Sequence, residues 1–223
     1  MGLDGFQAVL LDLDGVLLDS MQQHARLWQE LFAAQGFELP LDYILENEGA
    51  LDAEAVLRHL QAQGRSPGEA RELHQRMEQL LERQAGLYLK QYAGRVRPFP
   101  GAGFLLEGLE RAGLPRALVT SSRRQVVERC LPAELAELLP VQVCAEDVSA
   151  YKPHPEPYLT AAARLGVEPA RCLVVENAPA GIASARAAGA TCYAVCSTLP
   201  PEKLSGAQRV FPDLAALIRY LDL

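Results

Sequence analysis

A chain of 223 residues, 49% hydrophobic and 22% charged, is long enough to bury a substantial core, and its formal net charge of −7 argues against general binding to nucleic acid or to an anionic membrane surface. The start Met1-Gly2-Leu3-Asp4-Gly5-Phe6 has no basic segment and no cleavable apolar stretch, and no apolar run reaches bilayer length. Cys130, Cys144, Cys172, Cys192 and Cys196 form no Cys-x-x-Cys pair and have no His partner at zinc spacing, so the expectation is reduced, mostly buried thiols in a cytoplasmic protein.

In chain order, the first predicted element is the apolar run Val9-Leu10-Leu11, a buried strand that ends in Asp12-Leu13-Asp14-Gly15. From about Leu17 to Tyr92 the pattern is helical, with no convincing strand, and reads as an insert. Leu73, Met77, Leu80 and Leu87 fall at helical spacing and are expected to face a small core, with Glu72, Gln75, Arg76, Gln79, Glu82 and Arg83 solvating the other side. Residues 94–101, with Pro98 and Pro100, form a linker that returns the chain. Strands are then predicted at 116–120, 141–144, 172–176, 191–195 and 209–211. Helices are predicted at 103–112, 124–131, 155–165, 178–188 and 213–221, with Gly113, Gly166 and Gly189 as stops. This alternation predicts an α/β fold, a Rossmann-like parallel sheet core over 1–16 and 94–223 carrying an inserted all-helical domain over 17–93.

Asp12 and Asp14 are the most informative pair. Side chains at i and i+2 of an extended segment point the same way, so both can address one site. Two like charges held close resist joint ionisation, which calls for either a bound cation or divided acid and base roles. An EF-hand is excluded because Val16 stands where that loop needs a third oxygen ligand. Three further groups end strands. Thr120-Ser121-Ser122 precedes a helix and offers hydroxyls and amides to an anion. Lys152 sits before Pro153, and Glu176-Asn177 leads into Ala178-Pro179-Ala180-Gly181. Taken singly these are a helix cap, a surface lysine and a turn. Together they place acid, hydroxyl, ammonium and acid at four strand ends, where open α/β sheets bind ligands.

In order and spacing these motifs resemble the haloacid dehalogenase-like hydrolase superfamily, in its branch with a helical cap. Asp12-Leu13-Asp14-Gly15-Val16 is similar to the first family motif, Thr120 to the second, Lys152 to the third, and Glu176-Asn177 with Pro179-Ala180-Gly181-Ile182 to the fourth. Pro98-Phe99-Pro100-Gly101 and Lys152-Pro153-His154-Pro155-Glu156-Pro157-Tyr158 are similar to phosphatase and β-phosphoglucomutase relatives. The resemblance implies Asp12 as nucleophile, Asp14 as acid and then base, and Thr120, Ser121 and Lys152 around the phosphate. It also implies Mg2+ held by Asp12, the Asp14 backbone carbonyl and Asn177, with Glu176 counted in the metal set, close by or through water. Dehalogenases of the superfamily lack the second Asp, so phosphoryl transfer is the implied chemistry. Many relatives carry an acid where this chain has Asn177, which removes one negative charge from the site.

The expected substrate contacts lie in the cap. His24, one turn before Trp28, is either a packing residue or a group near the substrate. Glu48-Gly49 begins a candidate loop, Arg58, His59 and Arg65 are candidate contacts to a second anion, and Lys90 is the cap's single lysine. The expectation is a Mg2+-dependent phosphatase of a small phosphorylated metabolite such as a sugar phosphate, a monomer or small homo-oligomer with neither nucleic acid nor membrane as partner. A β-phosphoglucomutase-like mutase is the alternative. A metal-dependent glycosyltransferase or a non-catalytic binding module fits the order of motifs less well.

Overall fold

The computed structural model describes residues 2–47, 59, 62 and 66–223. Six strands form one parallel sheet: β1 (Ala8–Leu11), β2 (Arg116–Val119), β3 (Val141–Val143), β4 (Cys172–Glu176), β5 (Thr191–Val195) and β6 (Arg209–Phe211). Their spatial order is β3-β2-β1-β4-β5-β6, so the chain reverses direction of growth between β1 and β4. Strand β1 is Ala-Val-Leu-Leu with every residue buried, as a strand covered on both faces must be.

The covering layers follow from side-chain alternation. Ala8, Leu10, Val174 and Ala194 pack on one face with Tyr158, Ala161 and Ala162 of α7 (Glu156–Leu165) and Ile182 and Ala185 of α8 (Pro179–Ala187). Val9, Leu11, Leu173 and Val175 pack on the other with Leu105 and Leu109 of α4 (Ala102–Arg111), Val126 and Val127 of α5 (Arg124–Cys130), and Leu217 and Ile218 of α9 (Leu214–Leu221). The short α6 (Ala133–Ala136) has no counterpart in the sequence expectations, because four residues carry too little periodicity to read. The result is the expected Rossmann-like α/β sandwich.

Between Asp14 and the linker, the described residues form α1 (Met21–Ala33), α2 (Leu41–Glu46) and α3 (Pro67–Tyr92). Helix α1 packs on α2 and α3, and α3 also meets α5 below it. Of the predicted stripe, Leu80 is buried and Leu87 half-buried, and the side chains of Leu73 and Met77 lie outside the described part. Glu48, Gly49, Arg58 and Arg65 also lie outside it. The two crossings of the chain pair with each other: Asp19 N donates to Arg97 O and Phe99 N to Leu17 O, both at 2.9 Å. No described helix is long and apolar enough to cross a membrane. Cys130, Cys144, Cys172 and Cys192 are buried and Cys196 half-buried.

Candidate active site

The reversal of strand order puts the carboxyl ends of β1, β2 and β4 side by side, which is where such sheets hold ligands. Leu11 lies opposite Val175, so the next residue on each strand brings Asp12 level with Glu176, and Asp12 N donates to Val175 O (3.1 Å). Lys152, reached through the loop after β3, joins them. Its Nζ donates to Asp12 Oδ1 (2.6 Å), Glu176 Oε1 (2.7 Å) and Val119 O (3.1 Å). Only 3% of Lys152 is exposed, so these three acceptors satisfy an ammonium that solvent does not reach. The Lys152–Pro153 peptide bond is cis.

Glu176 is engaged on both oxygens. Oε1 also accepts from Tyr158 Oη (2.7 Å), and Oε2 accepts from the backbone of Asn177 (2.8 Å) and Ala178 (3.2 Å). Such close packing demands a glycine at position 181, where a Cβ would come within 1.7 Å of Glu176 Oε1. Sequence reasoning named Tyr158 only as the end of a family-like segment and gave it no role. It lies two turns of chain past Lys152 in a Pro-Tyr pair, with nothing local to distinguish a buried hydroxyl donor from a packed ring.

Asp14 has a different environment. Oδ1 accepts from Ser20 Oγ (2.5 Å) and lies 3.2 Å from His24 Nε2, and Oδ2 accepts from Ser122 Oγ (2.7 Å). Ser20 occupies the N-cap position of α1 without capping the helix. Its hydroxyl serves the carboxylate instead, giving up a cap worth about 1 kcal/mol. His24 Nδ1 meets Gln84 Nε2 of α3 (2.8 Å), and its ring stacks on Tyr88 (centroids 3.9 Å apart). With the amide donating to Nδ1, an Nε2 N–H faces Asp14 as a close contact outside hydrogen-bond alignment. His24 thus reaches the site as well as packing, and Gln84, the residue that orients it, carried no sequence signal. Ser122 N donates to Thr120 Oγ1 (3.0 Å), which occupies that oxygen as acceptor and leaves its O–H to donate. Thr120 is buried and Ser121 half-buried beside it. His59 packs its ring on Tyr43 (centroids 3.8 Å apart) within the helical segment.

The charges diverge accordingly. Burial pushes the Asp12 carboxyl up, Lys152 pulls it down, and Glu176 and Asp14 push it up again, for a net rise. Burial also presses on Asp14, but His24 and the hydroxyls of Ser20 and Ser122 outweigh it and hold that carboxyl at about 2. Burial opposes the Lys152 ammonium, yet Asp12 and Glu176 push its pKa up. The rise at Asp12 reflects acidic groups crowded beside it with Lys152 as their one ammonium, and a divalent cation at that oxygen would favour its ionised form.

The donor set fits such a cation. No group of three or more His, Cys, Asp or Glu among the described residues forms a metal cage. Asn177 Oδ1, however, is buried and has no hydrogen-bond partner, an oxygen in want of a positive charge. Gly15, at φ +92°, makes room for this amide, since a Cβ there would lie 2.0 Å from Asn177 Nδ2. Hard cations take such carboxylate, carbonyl and amide oxygens. Glu176, with two hydrogen bonds on each oxygen, is placed to hold Lys152.

A family model described as haloacid dehalogenase-like hydrolase matches residues 6–189. Validoxylamine A 7'-phosphate phosphatase of Streptomyces hygroscopicus subsp. limoneus is 33% identical over 94% of this chain and 94% of its own length. Hexitol phosphatase A of Escherichia coli K12 is 33% identical over 86% of this chain and 83% of its own. A solved hydrolase from Pseudomonas syringae superposes with a TM-score of 0.82 at 28% identity, covering 97% of this chain and 98% of that one.

Proposed function

The chain belongs to the haloacid dehalogenase-like hydrolase family, and from that premise we propose that it hydrolyses the phosphoric monoester of a small sugar-like metabolite through an aspartyl-phosphate on Asp12. The observation that carries this reading is the separation of two carboxylates two residues apart: Asp12 on Lys152 (2.6 Å), Asp14 on Ser20, Ser122 and His24. Burial and its acidic neighbours raise the Asp12 carboxyl, and Lys152 together with a cation at that oxygen would hold it ionised for attack, while Asp14, which does not touch Lys152, is left to exchange a proton. The names of the two phosphatase relatives, one for validoxylamine A 7'-phosphate and one for hexitols, support a sugar or polyol phosphate as the class.

An Asp12 oxygen attacks phosphorus, the P–O bond to the leaving group breaks, and Asp14 gives that oxygen its proton. The phosphate charge, arriving beside Asp14, pushes its carboxyl up from about 2 and so favours uptake of the proton it then donates. In the second half, Asp14 takes a proton from water, whose oxygen attacks phosphorus and frees Asp12 with inorganic phosphate. Thr120 and the turn at Ser121 donate to the phosphoryl oxygens, and Lys152 neutralises part of their charge. Mg2+, held by Asp12, the Asp14 carbonyl and Asn177, would supply the remaining charge neutralisation between carboxylate and phosphate. Glu176 acts through Lys152, which it holds against Asp12. In this reading helices α1 to α3 belong to a cap over residues 17–93 that admits the substrate, with His24 on its inner side.

The test is phosphate release from a panel of sugar and polyol phosphates, with and without Mg2+. Mg2+-dependent release from at least one member is expected, and no release from any overturns the reading. β-Glucose 1-phosphate with a trace of the 1,6-bisphosphate should give inorganic phosphate. Glucose 6-phosphate without phosphate release would establish a mutase instead.

A further inference from the structure

The loop after β5 carries a residue that the reaction above does not use. Thr198 Oγ1 accepts a hydrogen bond from Asn177 Nδ2 (3.0 Å), and its neighbour Ser197 donates to the backbone oxygen of Gly15. The missing Cβ of Gly15 leaves space for both partners, since it would come within 2.0 Å of Asn177 Nδ2 and 2.9 Å of Thr198 Oγ1. Three segments distant in sequence therefore close around one amide. Its nitrogen is partnered and its oxygen, fully buried, is not.

We propose that Thr198 is a positioning residue for the cation: by accepting the Asn177 N–H it keeps the amide oxygen available as a ligand. This rests on the cation reading of Asp12, Asp14 and Asn177. The physical need arises because this chain uses an amide for the task. A carboxylate presents oxygen on both sides, whereas an amide has one oxygen and one N–H2. Once the oxygen is committed to a cation, the buried N–H groups can no longer rotate toward other partners and must find acceptors where they stand. Thr198 supplies one. Without it, the bound state carries an unsatisfied buried donor that the free state can relieve by turning the side chain. Groups that orient a ligand in this way commonly change metal affinity by about 10- to 100-fold when removed.

The experiment titrates the full-length protein with Mn2+ alone, reading free Mn2+ by electron paramagnetic resonance, with Mg2+ as competitor and no substrate. Thr198→Val removes the acceptor and keeps the branched shape, Thr198→Ala removes it with less bulk, and Thr198→Ser keeps it. The expected result is that Mn2+ affinity falls by about tenfold in the Val and Ala variants and by less than threefold in Ser. A loss under threefold in whichever of Val and Ala folds overturns the proposal. So does an equal loss in Ser, which would assign the effect to loop shape. If the parent binds no Mn2+, the cation reading fails and this inference with it. A parent that binds Mn2+ beside an unaffected Thr198→Val leaves that reading standing and overturns this inference alone.

Discussion

Asp12 and Asp14 are two residues apart yet belong to different regions of the molecule. Asp12 is held from the sheet side, where Lys152, Glu176 and Tyr158 form a buried, fully paired cluster on the ends of β4 and α7. Asp14 is held in large part from the helical side, by Ser20 and His24 of α1, with Gln84 of α3 behind. The first cluster is charge against charge in a dry setting. The second is a carboxylate among hydroxyls and an imidazole. Where charges compensate one another in the interior, loss of one leaves the others stranded; where hydroxyls donate, loss of one leaves the rest in place. Damage on the sheet side should therefore reach both fold and chemistry, and damage on the helical side chemistry above all.

The largest effects test that directly. Asp12→Asn should abolish phosphate release, because the amide cannot attack phosphorus, and a circular-dichroism melt should show a folded protein with a lowered transition, since Lys152 keeps only one of its two carboxylate partners. Lys152→Met should unfold more easily by about 3–5 kcal/mol, since Asp12 and Glu176 are left buried without their cation. Urea titration measures it. A loss under about 1 kcal/mol would mean that water or protonation relieves the pair, and the contrast between the regions would collapse.

Two glycines put the same change on the two sides. Gly181→Ala drives a Cβ to within 1.7 Å of Glu176 Oε1, so the carboxylate or the first turn of α8 must move, and both thermal stability and turnover should fall. Gly86 lies inside α3 with nothing within 4 Å of its missing Cβ. Gly86→Ala should be neutral or stabilise by up to about 1 kcal/mol, with turnover unchanged. Equal loss in both variants, read as paired melting curves and rates, would show the helical side to be as tightly built as the sheet side.

The sheet side was also the more legible in sequence. Strands β4, β5 and β6 occupy the predicted residues, because each is a short apolar run bounded by turn residues. Asp12, Asp14, Thr120, Glu176 and Asn177 were picked out because they stand at strand ends, which parallel pairing brings together without any knowledge of side chains; Lys152 was expected just after β3, and the loop beyond that strand carries it into the site. Tyr158, Ser20, Gln84 and Thr198 were given no role. Each acts through one hydrogen bond to a residue distant in sequence, or hides its purpose behind an ordinary local role, as Ser20 does at a helix start. Periodicity reports which face is buried and is silent on which buried polar atom meets which.

On the helical side, Gln84→Ala should leave His24 Nδ1 without its donor, at a cost of about 1–3 kcal/mol for the buried acceptor. Turnover should drop by less than roughly 10²-fold, the lower end of what acid–base assistance supplies, with KM little changed, since Gln84 acts through His24 on Asp14. Gln84→Glu, whose carboxylate would accept from Nδ1 while Asp14 faces Nε2, favours a proton on both ring nitrogens and so separates loss of packing from a change of charge beside Asp14. If Ala and Glu variants retain parental turnover, His24 belongs to packing alone.

The smallest effect concerns how the loop that carries Lys152 is tied down. Asp147, just after β3, accepts from Arg164 at Oδ1 (2.8 Å) and from Arg124 and the Cys144 backbone at Oδ2. Glu156 accepts from Ser149 N (2.8 Å) and Ala150 N (2.9 Å) further along. Burial raises the Asp147 carboxyl somewhat, but the Arg164 hydrogen bond, the Cys144 N–H and Arg124 outweigh it and hold it below the usual carboxylate value. The folded protein therefore binds this proton less tightly than the unfolded chain. Its contribution is fully present above the unfolded pKa near 3.8 and is lost as pH falls through the lower folded value. Asp147→Asn should lower the melting temperature at pH 6–8 by an amount worth about 1 kcal/mol, small because both arginines are partly exposed. The gap between parent and variant should then narrow as pH drops toward 3. Asp12 and Asp14 titrate in both proteins and cancel from the difference as long as they do not couple to Asp147. A gap that stays constant to pH 3 would show that Asp147 holds the loop by shape and not by charge.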